Sequence, residues 1–204
     1  MKRFLLCALL PLITGLPAEA ASVVKSYSYF SIGGATVDEI ESQLSKNGPH
    51  VKTTGHRHPG ATRMAFTTRL GFAEAAGSCR IVSATVTVKA NIILPRWKRP
   101  RKADAGVRLL WDTLSADIKR HEESHIVIAK NHARELEQAL LSIGRQGDCE
   151  TARTKAKAVS DRVLARHDRA QVQFDKVEGI NFESRLLRLL NYRIEQIERA
   201  RKAG

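Results

Sequence analysis

The sequence predicts an α+β fold, with a β-rich first half and a helical second half that meet near Asp104. Three observations carry that prediction. Between Ser22 and Leu94 the apolar residues alternate or are β-branched, as in strands. From Asp104 onward they recur every three or four residues, the period of helices. The breaks fall on glycine and proline, at Gly33-Gly34, Asn47-Gly48-Pro49, Pro95, Gly144 and Gly179. Together these imply a small antiparallel β-sheet packed against long α-helices.

The elements follow in order. Residues 1–20 stand apart: Lys2 and Arg3 precede a short apolar stretch, and Ala18-Glu19-Ala20 has the form of a signal-peptide cleavage site. We expect them to be removed on export. Ser22 to Ile32 reads as a strand ending in a Gly-Gly turn. Thr36 caps a short helix with Val37, Ile40 and Leu44 on one side, and Asn47-Gly48-Pro49 stops it. His50 to Gly60 reads as a solvated polar loop carrying His56 and His58. Ala61 to Phe72 alternates as a second strand. Arg80 to Leu94 is the densest β-branched run, one long bent strand or two, ended by Pro95.

Leu109, Trp111, Leu114, Ile118, Ile126, Ala129, Leu136 and Leu140 then keep helical spacing. A further helix runs from Cys149 to Val177, with Val163, Ala170 and Phe174 facing inward and Gly179 at its end. The domain is expected to cover residues 21–181, with an amphipathic helix appended over residues 182–204.

No segment after the leader is apolar enough to cross a membrane, so an exported protein, periplasmic or secreted, is expected, with no transmembrane segment. A net charge of +13 points to anionic cell-envelope polymers as partners, reached through a basic surface, and not to specific nucleic acid. The densest basic cluster is Arg96-Trp97-Lys98-Arg99-Pro100-Arg101-Lys102. Export leaves two cysteines, Cys79 and Cys149, and an oxidising compartment makes a disulfide between them the expectation.

His121-Glu122-Glu123-Ser124-His125 lies within the first long helical pattern and reads H-E-x-x-H. Residues four apart return to nearly the same helix face, roughly 6 Å along the axis, so both imidazoles can grip one zinc ion. Glu122 is then placed to act as general base towards a zinc-activated water. Glu123 falls on another face and reads as a solvated residue. A catalytic zinc needs a third protein ligand and one open position. If the next helix folds back around residues 144–148, residues 167–171 lie level with the motif. That makes His167, on the inward face, one candidate ligand, and Glu178, one turn beyond Phe174, the other. Asp168 and Asp175 read as residues that orient a ligand from outside.

Other pieces add a family likeness. Tyr29 to Leu44 holds a Tyr-rich strand, a Gly-Gly-Ala-Thr turn and a short helix. Gly60-Ala61-Thr62, Cys79 with its Val-rich strand, Leu94-Pro95-Arg96-Trp97 and Trp111 follow before the H-E-x-x-H motif. In this order the chain resembles the domain of unknown function 922 family, a family of predicted secreted zinc-dependent proteases. That family carries an aromatic-Asp pair and a later His-Gly pair whose histidine is offered as third ligand. Here Phe174-Asp175 is present, but Glu178-Gly179 stands for the second pair, which shifts weight towards Glu178.

The resemblance implies a secreted or periplasmic zinc metallopeptidase with a zincin-like H-E-x-x-H helix, acting on a peptide or protein substrate. Two other readings stand beside it. One is a non-catalytic basic envelope-binding protein whose zinc site is structural or absent. The other is a zinc amidase acting on peptidoglycan peptides.

Overall fold

A computed structural model describes residues 21–51 and 55–204. The expected leader, residues 1–20, lies outside the described residues. The order of elements is β1 (Ser22–Ile32), α1 (Val37–Asn47), β2 (His50–Val51), β3 (His56–Arg57), β4 (Ala61–Ala75), β5 (Ser78–Trp97), α2 (Ala105–Leu141), α3 (Cys149–Ile180) and α4 (Phe182–Ala203). The α+β class holds. The sheet is mixed, however, not wholly antiparallel: β4 and β5 form an antiparallel hairpin, while β1 runs parallel to β5 on its other side.

Alternation explains the sheet. Val86, Val88, Ala90, Ile92 and Leu94 share the buried face of β5, while Lys89 and its neighbours on the other face meet solvent. The hairpin turns through Gly77, whose φ of 67° lies in the left-handed region that a residue with a Cβ rarely adopts. Beyond that turn β5 is one unbroken strand, with a bulge opposite Gly71 and Phe72. Pro95 does not end it. β4 leaves the ladder at Ala61, opposite Ile93, so Pro95 sits where only β1 remains as neighbour, an edge-like place that tolerates proline.

Helix α2 lies along the buried face of β5 and organises the core. Asp104 caps its start, its carboxylate accepting from the Val107 amide at 2.7 Å. Ile118 and Ile126 pack on Ala90, Ile92 and Leu94. Ala129, Ala133, Leu136 and Leu140 pack on Val86 and Val88, and on Ala156 and Val163 of α3. The first turns of α2 close a separate cluster, with Val107 and Trp111 against Trp97, Ile40 and Leu44. Of the basic stretch Arg96 to Lys102 only Arg96 and Trp97 lie in β5, and Arg99 is ion-paired to Asp112.

Cys79 and Cys149 are joined as expected, pinning the start of α3 to the start of β5. Reciprocal backbone hydrogen bonds of 2.8 Å between Cys79 and Gln146 flank the bridge. Helix α3 passes straight through Gly179 to Ile180. Glycine weakens a helix without forbidding it, and the Asn181 side chain donates to the Val177 carbonyl at 2.8 Å to close the end. Among the described residues no helix is long and apolar enough to cross a membrane.

Candidate metal centre

His121 and His125 stand one turn apart on the α2 face that meets α3. Their rings are 4.8 Å apart and nearly perpendicular. Phe174 of α3 stacks on His121 at 5.0 Å and meets His125 edge-on at 5.1 Å, so both imidazoles are braced by one aromatic ring. The residue after that ring completes the cluster. Asp175 Oδ1 is 3.3 Å from His121 Nε2 and 3.1 Å from His125 Nε2, and the two nitrogens are 3.2 Å apart.

Which of these atoms carries a proton follows from the partners on the far side of each ring. Gln171 donates its amide N–H to the His125 backbone carbonyl at 3.0 Å, which fixes its Oε1 towards His125 Nδ1, 2.6 Å away. His125 Nδ1 therefore carries the proton, and Nε2 presents a bare lone pair. His121 Nδ1 likewise faces an acceptor, Glu178 Oε2, at 3.5 Å. Two lone pairs and a carboxylate oxygen then converge, an arrangement that calls for a cation between them.

The donor set fits zinc. Tetrahedral ligands at about 2.0 Å from an ion lie about 3.3 Å from one another, and the three separations here are 3.1, 3.2 and 3.3 Å. Without a metal the site draws protons instead. Burial opposes charge on His125, but hydrogen bonds to Asp175 and Gln171 outweigh it and raise its pKa above 6.5. Burial also opposes the charge on Asp175, and hydrogen bonds from His121 and His125 overcome it, holding that carboxyl far below its usual range.

The third member is therefore Asp175, in place of His167 or Glu178. The helical hairpin runs about one turn further along α3 than a symmetric fold-back about residues 144–148 predicts. His167 does face inward and is buried, yet it acts through Gln171. The Gln171 amide N–H donates to His167 Nε2 at 2.8 Å, and His167 Nδ1 donates to Asp168 at 3.0 Å. Asp168, His167, Gln171 and His125 thus form a relay that orients the ligand. Glu178 touches the far side of the His121 ring and is held by Arg120 and Arg185. Burial disfavours its charge, but Arg120 more than offsets that and lowers its pKa.

Arg185 comes from α4. Its guanidinium bonds the buried Asp117 at 3.1 to 3.2 Å and reaches Glu178 at 3.3 Å, so the last helix is tied into the wall of the site. Asp117, shared by Arg120 and Arg185, stays ionised below its usual pKa although burial works the other way.

Glu122 leaves α2 on the flank that faces β4 and is almost fully buried, and its carboxylate still borders the space beside His121 and Asp175. Thr62 Oγ1 lies 2.8 Å from Glu122 Oε2 and 3.0 Å from the Glu122 carbonyl. Burial raises the Glu122 pKa, and the Thr62 hydrogen bond only partly counters it. Gly60 makes room for this carboxylate: a Cβ there would come within 2.7 Å of Oε1 and 2.9 Å of Ile118. Glu123 is not simply solvated, because Tyr27 of β1 donates its hydroxyl to it at 2.6 Å.

A cleft of about 230 Å³ opens beside the cluster, walled by Gly60, His121, Glu122, Asp175, Phe182 and Arg185. His58 also lines it, half-buried, from a loop read as solvated in the sequence. Burial depresses the His58 pKa, and the nearby Asp175 charge pulls the other way. Its neighbours Pro59 and Gly60 are the local trace of a tight approach to α2, a clue visible in the sequence beside it.

Fold and cluster define the class: an α+β protein whose H-E-x-x-H helix and following helix gather two histidines and an aspartate. Residues 27–183 match the family described as bacterial protein of unknown function, DUF922, and the chain belongs to that family. No curated protein and no solved structure matches the chain.

Proposed function

We propose that the protein is a zinc-dependent metallopeptidase acting outside the cytoplasm. The observation that carries this reading is the triangle of His121, His125 and Asp175, with the Glu122 carboxylate on the wall of the same cleft. Bound there, zinc would acidify a water and polarise the substrate carbonyl. Glu122 is the residue that would take a proton from the attacking water and return it to the leaving amine. Its raised pKa brings it towards the range in which a carboxylate can do both near neutral pH. Thr62 holds one carboxylate oxygen, so the base keeps its aim. Arg120 and Arg185 hold Glu178, which in turn keeps His121 Nδ1 protonated and Nε2 available.

Solvent access supports hydrolysis over a purely structural site. The Asp175 side chain is 48% exposed and the cleft is open, whereas structural zinc is enclosed by four protein ligands. The disulfide and the sequence of residues 1–20 support export. The test is Glu122→Gln. Zinc content should stay at about one per chain while cleavage of an accepted peptide falls about 10²-fold or more. Full activity in that variant with zinc retained would rule the mechanism out.

A further inference from the structure

A second cavity adjoins the metal cleft. It holds about 360 Å³ and shares Pro59 and Phe182 with the cleft as common walls. Ile40, Leu44 and Trp111 form its floor, already buried in the core, and Leu110, Leu114 and Leu186 form its sides. The lining is mostly apolar, with Glu41, Ser45 and Arg57 as its polar side chains beside the Trp111 indole, and the Arg57 guanidinium is turned to the Gly48 carbonyl at 2.7 Å. An apolar pocket of this size opening beside a hydrolytic cleft suits one kind of occupant.

We propose that this pocket receives a bulky aliphatic or aromatic side chain of the substrate, next to the bond that is cut. The inference rests on the peptidase reading above and names its substrate class. A peptide whose carbonyl lies at His121, His125 and Asp175 runs past Pro59 and Phe182. Because Pro59 and Phe182 line both spaces, the pocket is offered to a side chain adjacent to the cleaved bond. Burying a leucine-sized group there removes its surface from water without stranding a polar atom. A charged or glycine residue at that position gains nothing from the same lining. Helix α4 thereby acquires a role in selectivity, since Phe182 and Leu186 are its own residues.

The probes are two peptide hydroxamates, which chelate zinc, identical except for an isobutyl group or a hydrogen at the adjacent position. Calorimetric titration of the zinc-loaded full chain should show the isobutyl compound binding about tenfold or more tightly. Leu186→Glu places charge in the pocket, and Val37→Trp fills it from the rim of α1. Both should erase the difference while leaving the glycine compound's affinity unchanged, which certifies an intact metal cluster.

Equal binding of the two probes by the wild type overturns the proposal, as does a preference that survives both variants. Equal binding together with a dimeric mass in solution gives the pocket to a second copy instead. A chain that binds neither probe sinks the pocket and the zinc site together. If the isobutyl preference holds but no peptide is ever cleaved, the pocket stands as a binding site for a bulky group beside the metal, and its place next to a cleaved bond falls with the peptidase reading. If peptides are cleaved with no bias for bulky residues, the reverse is true.

Discussion

Helices α2 and α3 supply the same cluster by different means. On α2 the two histidines are four residues apart, so local helix geometry alone puts His121 and His125 on one face. On α3 the third member depends on how two helices of 37 and 32 residues slide along each other. A slip of one turn would replace Asp175 with Gln171 or Glu178. The first kind of site is written in a motif, and the second is written in packing. Phe174 links them, because one ring braces both histidines and sets the height of the residue that follows it.

The largest effect should separate the two contributions. His121→Ala removes a ligand that nothing on α2 can replace, and bound zinc should drop from about one per chain to none. Asp175→Ala should weaken zinc by more than about 10²-fold, and Glu178→Gln by less, since Glu178 only orients His121. Metal analysis after dialysis against graded chelator ranks the three. If Glu178→Gln costs more than Asp175→Ala, the register drawn between the helices is wrong.

This comparison also shows why part of the site could be read from the sequence. His121 and His125 were legible because their relation is periodic, and Glu122 because the motif fixes it beside the first histidine. The long strands and the helices were legible to within a few residues, from alternation and from the Thr36 and Asp104 caps, whereas the short pair β2 and β3 lies in the stretch read as a loop and Gly179 does not break α3. The pairing of Cys79 with Cys149 followed from there being no other choice. Asp175 and His58 were not legible in this way. One needs the helix-helix register, the other the path of a loop back towards α2. The parallel placement of β1 is equally non-local, since nothing within Ser22–Ile32 states its partner's direction. The Phe174-Asp175 pair was the available clue to the third member of the cluster, and its aromatic member is the brace.

A second test asks what sets the register. The disulfide pins α3 at Cys149, but Asp175 lies 26 residues later, about 39 Å along the helix. Replacing Cys79 and Cys149 by serine should lower stability by up to about 4 kcal/mol for the 70-residue separation, in the chain-entropy account. Zinc affinity of the folded fraction should change little, because side chains at the far end hold the pairing. Denaturant melts with and without zinc provide the readout. A matching collapse of zinc affinity would mean that the bridge, not Phe174 and Gln171, sets the register.

The relay through Gln171 should matter less than any ligand and more than its distance from the metal suggests. Gln171→Leu keeps the volume but removes the acceptor for His125 Nδ1 and the donor to the His125 carbonyl. An affinity loss of about 10- to 100-fold for zinc is expected, with the fold intact. His167→Phe, one step further out, should cost less. Equal losses in the two variants would show that the relay acts as one rigid unit and not as a graded chain.

The smallest effect concerns protons, and its sign differs between the two sides of α2. Asp175, Asp117 and Glu178 have folded pKa values below their ordinary 3.8, 3.8 and 4.5. Their contribution to metal-free stability is complete above those ordinary values and is lost as pH falls through the folded ones. Glu122 behaves oppositely. Its folded pKa lies above 4.5, so its cost is absent at low pH and grows as pH rises above 4.5 towards and through the folded value. Metal-free protein should therefore show a stability maximum between the two windows, falling steeply below about pH 4 and gently towards neutral pH. Glu122→Gln should flatten only the gentle arm and raise the metal-free melting temperature at pH 7, with the acid arm unchanged. A variant that instead loses stability at pH 7 would show that Thr62 and the two histidines already compensate the buried charge, leaving no reserve of proton affinity for the base to use.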